Sequence, residues 1–130
     1  MKRSASKRIR ILIADDHAVV RDGLSFYFGG VPDFEIVGDA RDGRQAVDRV
    51  QELRPDVVVM DVAMPHLNGA DATRIIKNRW PETEIIGLSA DSADAIGRAM
   101  FAAGASAYFR KDEPLDGLVA SVRALGKKIL

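Results

Sequence analysis

Pro55-Asp56-Val57-Val58-Val59-Met60-Asp61 places an unbroken apolar run between a helix-stopping proline and a terminal carboxylate. An apolar run without polar alternation is the pattern of a strand covered on both faces, the usual state of a strand in a parallel sheet. We therefore expect a buried strand over Asp56–Met60, running into Asp61. Working outward, Ile9–Ala14 and Glu84–Ser89 carry similar runs, and Phe34–Ala40 and Ala107–Arg110 complete the set. Amphipathic stretches of roughly ten to fourteen residues separate them, an alternation that predicts β-α-β units and one parallel sheet.

Val20, Leu24 and Phe28 recur every four residues and predict a first helix over residues 17–28, with Gly29-Gly30 supplying a left-handed stop. Asp42 followed by Gln45 resembles a capping box, Ala46, Val47, Val50 and Leu53 form the buried stripe of a second helix, and Pro55 ends it. Ala72, Ile75 and Ile76 mark a third helix ending before Trp80-Pro81. Pro114, then Leu115, Leu118, Val122 and Leu125, mark a fifth. The fourth, over Ser92–Ala103, contains Gly97 and only Ile96, Met100 and Phe101 as large anchors, so it is expected to be held less tightly.

The 130 residues fit one domain, with 47% hydrophobic residues and 19 Lys+Arg against 19 Asp+Glu. That composition excludes disorder by charge and names no charged partner. The absence of cysteine excludes disulfides and thiol catalysis. No apolar run reaches the length of a membrane span and no signal core follows Met1-Lys2-Arg3, so a cytoplasmic location is expected. Residues 1–8 read as a basic, solvated N-terminal extension and residues 9–130 as the folded domain, with no linker, repeat or second domain expected.

Right-handed crossovers bring the C-terminal ends of all parallel strands to one edge of the sheet. Residues at that edge are Asp15-Asp16 after the first strand, Asp61 after the third, Ser89 at the end of the fourth, and Tyr108 to Lys111 along the fifth. Three crowded carboxylates repel, and a hard divalent cation with oxygen ligands relieves them; Mg²⁺ suits an open site that leaves room for phosphate oxygens. A lysine and a hydroxyl opposite could hold those oxygens, leaving one carboxylate as phosphoryl acceptor. Taken singly, Asp15 or Asp16 reads more simply as a helix cap, and Ser89 or Lys111 as a loop residue. His17 and His66 have no second His or Cys at ligand spacing and read as surface or capping residues. The glycines at 23, 29 and 30 match no nucleotide-binding fingerprint.

With these residues in place, Ile11-Leu12-Ile13-Ala14-Asp15-Asp16-His17, the run from Pro55 to Asp61, Met64-Pro65-His66-Leu67-Asn68-Gly69 and Leu88-Ser89-Ala90 resemble the receiver domains of two-component response regulators. The Asp-Asp-His opening, the Asn-Gly turn and Lys111-Asp112 are especially similar to the LuxR-type (NarL/FixJ) branch. The resemblance implies a flavodoxin-like (βα)5 fold, a doubly wound five-stranded parallel sheet in the order 2-1-3-4-5. It implies Asp61 as phosphoacceptor and Asp16 and Asp61 as Mg²⁺ carboxylates, with Asp15 assisting and the Ala63 carbonyl as a further ligand. It also implies Ser89 and Lys111 as holders of the phosphoryl oxygens, and Tyr108 as the aromatic that moves inward with Ser89. The implied partners are a sensor histidine kinase as donor, a homodimer formed on phosphorylation, and DNA only through a C-terminal domain outside these residues. The chain departs from many receivers in placing Asp112-Glu113 between Lys111 and Pro114, and in carrying Ser rather than Thr at position 89. A stand-alone or binding-only receiver is the main alternative. A Mg²⁺-dependent phosphohydrolase with an aspartyl-phosphate intermediate is a remote one, since its usual Asp-x-Asp would place an acid where Ala63 stands.

Overall fold

The computed structural model describes residues 8–90 and 94–127. Five strands, β1 (Ile9–Ala14), β2 (Phe34–Ala40), β3 (Val57–Asp61), β4 (Glu84–Ser89) and β5 (Ala107–Arg110), alternate with five helices, α1 (Ala18–Gly29), α2 (Gly43–Leu53), α3 (Gly69–Arg79), α4 (Asp94–Ala103) and α5 (Leu115–Lys127). The strands form one parallel sheet, as the alternation of apolar and amphipathic stretches predicts, in the order β2-β1-β3-β4-β5 that the family resemblance implies.

Side chains alternate across the pleat and so build two cores. Leu12, Val58, Met60 and Ile85 face one side, where Val50 of α2, Ile76 of α3 and Met100 of α4 cover them. Ile11, Ile13, Val57, Val59 and Ile86 face the other side, under Leu24 and Phe28 of α1 and Leu118 and Val122 of α5. Every residue of β3 is buried, which is why its sequence reads as a run rather than an alternation.

Three local expectations are corrected. Strand β3 starts at Val57: Asp56 stands just before it, its N–H donating to the Arg10 carbonyl and its Oδ2 accepting the Arg10 N–H at 2.9 Å. Helix α1 does not stop in the left-handed region: Gly29 is its last residue and Gly30 follows at φ −85°. Positive φ instead follows α2, at Arg54 (φ 46°) immediately before Pro55, and α4, at Gly104 (φ 116°). Phe101 is no anchor of α4, being 52% exposed, whereas Met100 is fully buried. The expected start of α4 at Ser92 lies outside the described residues, and helix is observed from Asp94.

The capping expectation at Asp42 holds in a modified form. Its side chain accepts the Gln45 N–H at 2.8 Å, but Gln45 Oε1 reaches past the cap to the Arg41 N–H, also at 2.8 Å. Among the described residues, no helix is long and apolar enough to cross a membrane.

Candidate functional site

Parallel pairing aligns the strand ends that carry the site. Ala14 pairs with Met60, so Asp15 and Asp61 follow side by side; Ser89 pairs with Arg110, so Lys111 follows beside Ser89. The Lys111 N–H donates to the Ser89 carbonyl at 2.8 Å, and Val62 N–H to the Leu88 carbonyl at 2.9 Å. The ladder thus extends past the strands and holds the acid, hydroxyl and ammonium positions along one edge.

Asp15 and Asp61 are both buried, at 1% and 3% exposed. Lys111 Nζ lies 2.6 Å from Asp15 Oδ2 and 3.4 Å from Asp61 Oδ1, so one ammonium faces two buried carboxylates. Asp61 Oδ1 also accepts the Ala63 N–H at 3.3 Å, whereas its buried Oδ2 accepts no hydrogen bond from the described residues. Burial first, and then the charge of Asp15, push the Asp61 carboxyl up to about 6, against the pull of Lys111 and the Ala63 N–H. Burial works against the Lys111 ammonium, but its bond to Asp15 and the charge of Asp61 outweigh that, so its pKa lies above the ordinary lysine value.

Of the residues singled out in the sequence, Asp15, Asp16, Asp61 and Lys111 meet in this cluster. Ser89 stands beside it, buried at the end of β4. Tyr108 is set back: its ring lies against α4, where a Cβ on Gly97 would come within 3.1 Å of it, and against β4, where one on Gly87 would do the same. The glycine inside α4, which looks like a weak point in sequence, is the space in which that ring packs. Lys111 is engaged more tightly with Asp15 than with Asp61, a pairing that strand-end reasoning does not reveal.

His17, which the sequence read as a surface or capping residue, also stands against the cluster. It occupies the N-cap position of α1, yet its side chain makes no capping hydrogen bond. Its Nδ1 lies 3.2 Å from Asp15 Oδ1 and 3.1 Å from Asp16 Oδ1, so Asp15, Asp16, His17 and Asp61 can each offer a ligand atom within 4.8 Å of the others. The signal available was its adjacency to two acids; the search for a second His or Cys passed over it. His66 takes a left-handed turn, φ 68°, in the loop between β3 and α3.

The donor set fits a hard divalent cation on chemical grounds: three carboxylates converge, and one buried oxygen, Asp61 Oδ2, lacks a donor among the described residues.

Fold and edge cluster together define a doubly wound α/β module with an acidic site at its strand ends, and the comparisons give its family. Residues 11–123 match the response regulator receiver domain family. The chain belongs to that family. It is 35% identical over 120 residues to the transcriptional regulatory protein DegU of Brevibacillus brevis, covering 92% of this chain and 51% of that protein. It is 42% identical over 96 residues to a protein-glutamate methylesterase/protein-glutamine glutaminase of Pyrococcus horikoshii, covering 72% of this chain and 26% of that one. The signal receiver domain of the putative response regulator NarL from Mycobacterium tuberculosis superposes with a TM-score of 0.88 at 26% identity, covering 93% of this chain and 98% of that domain. These relatives support the LuxR-type (NarL/FixJ) branch. The chain spans about half the length of the DegU relative.

Proposed function

We propose that this receiver takes a phosphoryl group on Asp61 from a phosphohistidine of a sensor kinase and passes the change to its α4-β5-α5 face. The observation that carries this reading is the Asp61 carboxylate itself: buried, with one oxygen lacking a donor among the described residues, beside Lys111. In the transfer an Asp61 oxygen forms the new bond to phosphorus while the donor's P–N bond breaks, its electron pair leaving on the imidazole nitrogen. Asp16 and Asp61, assisted by Asp15 and the Ala63 carbonyl, would hold Mg²⁺, whose charge offsets that of the carboxylates and phosphoryl oxygens. Lys111 and the Ser89 hydroxyl bind the remaining phosphoryl oxygens.

A phosphoryl group brings close to two negative charges to a cluster with few cations. Lys111 is drawn from Asp15 toward the new oxygens, and Ser89 with it. Tyr108 fills the space that opens behind Ser89, releasing its packing on Gly97 and changing how α4 sits. Moving such a two-state equilibrium from mostly off to mostly on takes about 3 to 5.5 kcal/mol, which several charge-assisted hydrogen bonds supply.

We class the domain as a switch rather than an enzyme. The DegU likeness favours a transcriptional output through a DNA-binding domain and, with it, dimerisation on phosphorylation, in the cytoplasm. The test is Mg²⁺-dependent labelling with acetyl phosphate, read by intact mass. Wild type is expected to gain one phosphoryl group and Asp61→Asn none. No gain in folded, Mg²⁺-binding wild type would move the reading to a binding-only receiver.

A further inference from the structure

We propose that His17 is a nitrogen ligand of the cation site, and that it opens this site to borderline first-row divalent cations such as Co²⁺ as well as to Mg²⁺. The inference rests on the reading of the acidic cluster as a cation site and extends it by one donor.

Three observations support it. His17 sits where a helix-capping side chain belongs but does not cap; its ring lies against the carboxylates instead. The Nδ1 separations of 3.1 Å from Asp16 Oδ1 and 3.2 Å from Asp15 Oδ1 match the spacing of adjacent ligands on one ion, about 3.0 Å for octahedral bonds of about 2.1 Å. Asp61, whose side chain is 4% exposed, brings into the same cluster a buried carboxylate oxygen with no donor among the described residues.

The ring can change role without changing charge. With its proton on Nδ1 it donates to Asp15 Oδ1 while lying close to Asp16; with the proton on Nε2, the Nδ1 lone pair is available to an ion held between them. The side chain is 66% exposed, so an Nε2 proton can be solvated. A site of oxygens alone favours Mg²⁺, whereas one imidazole nitrogen raises affinity for cobalt, nickel and zinc.

The experiment is a Co²⁺ titration of the untagged chain, followed by ¹H NMR for a hyperfine-shifted, exchangeable ring N–H and by competition with Mg²⁺. The N–H resonance is expected in wild type, absent in His17→Gln and retained in His66→Asn, asparagine being a residue that tolerates the left-handed turn at 66. His17→Gln should weaken Co²⁺ about tenfold while leaving Mg²⁺ within about twofold. Co²⁺ binding that is lost in Asp16→Asn but gives no ring N–H in wild type would overturn the role of His17 and leave the cation site standing. Co²⁺ binding indifferent to both Asp16→Asn and Asp61→Asn would overturn both.

Discussion

Asp61 combines burial with a carboxyl pushed up to about 6 from its ordinary 3.8, so the metal-free fold holds a proton there that the unfolded chain has released. Between these values the native state binds more protons, and ionising Asp61 works against folding. In EDTA, stability should therefore fall as pH rises from about 4 through about 6. Asp61→Asn should flatten that window and raise Tm at pH 7.5 by about 5 °C; thermal melts of the two proteins across pH test this, and a variant that melts below wild type at pH 7.5 contradicts it. Lys111 acts in the opposite sense. With it removed, Asp15 is a buried charge without its ammonium, so Lys111→Met should lose about 2 to 3 kcal/mol in urea unfolding. A loss below about 1 kcal/mol would mean that water screens the pair. The residue types of this site were legible because strand ends must converge. The Lys111–Asp15 pairing was not, because it joins side chains remote in sequence, and the placing of His17 against Asp15 and Asp16 was not, because it depends on a rotamer that adjacency alone does not choose.

At the scale of elements, burial governed what could be read. The strands of the sheet's centre show their class because two covered faces admit only apolar residues, whereas the stop of α1 depended on a backbone choice that Gly29-Gly30 permits but does not dictate. Glycines show the same division. Gly69 opens α3 with its N–H bonded to the Val62 carbonyl, and a Cβ there would stand 2.2 Å from the Asp61 carbonyl oxygen and 2.8 Å from Val62 Cα. These are backbone atoms with no rotamer to yield. Gly69→Ala should cost about 2 to 3 kcal/mol and, by displacing the loop through Ala63, weaken Mg²⁺ binding. Gly23, exposed within α1, has open space around it, with nothing within 4 Å of where an alanine methyl would stand; Gly23→Ala should stabilise by about 0.5 to 1 kcal/mol through helix propensity alone. Paired denaturant curves decide both, and equal effects of the two substitutions would mean that close approach to β3 does not constrain Gly69.

Across the whole molecule, packing is uneven in the direction a switch requires. Strands β1 and β3 lie inside the sheet with nearly every residue buried, while β5 is an edge strand with none fully buried. The α4 helix buries only Gly97, Met100 and Ala103 among its described residues and leaves Phe101 outward. Local opening free energies follow buried apolar contact, so native-state hydrogen exchange should show β1 and β3 opening only with global unfolding, and α4 and β5 opening at least about 2 kcal/mol below that limit. Beryllofluoride with Mg²⁺, a phosphoryl mimic, should change exchange in α4, β5 and the start of α5 while leaving β2 and α2 as they were, because the pull on Lys111 and Ser89 acts at the β4–β5 end of the sheet. Equal protection in all five strands would make the sheet a single cooperative unit, and the signal would then have to leave through the loops around Asp61 rather than through Tyr108 and α4.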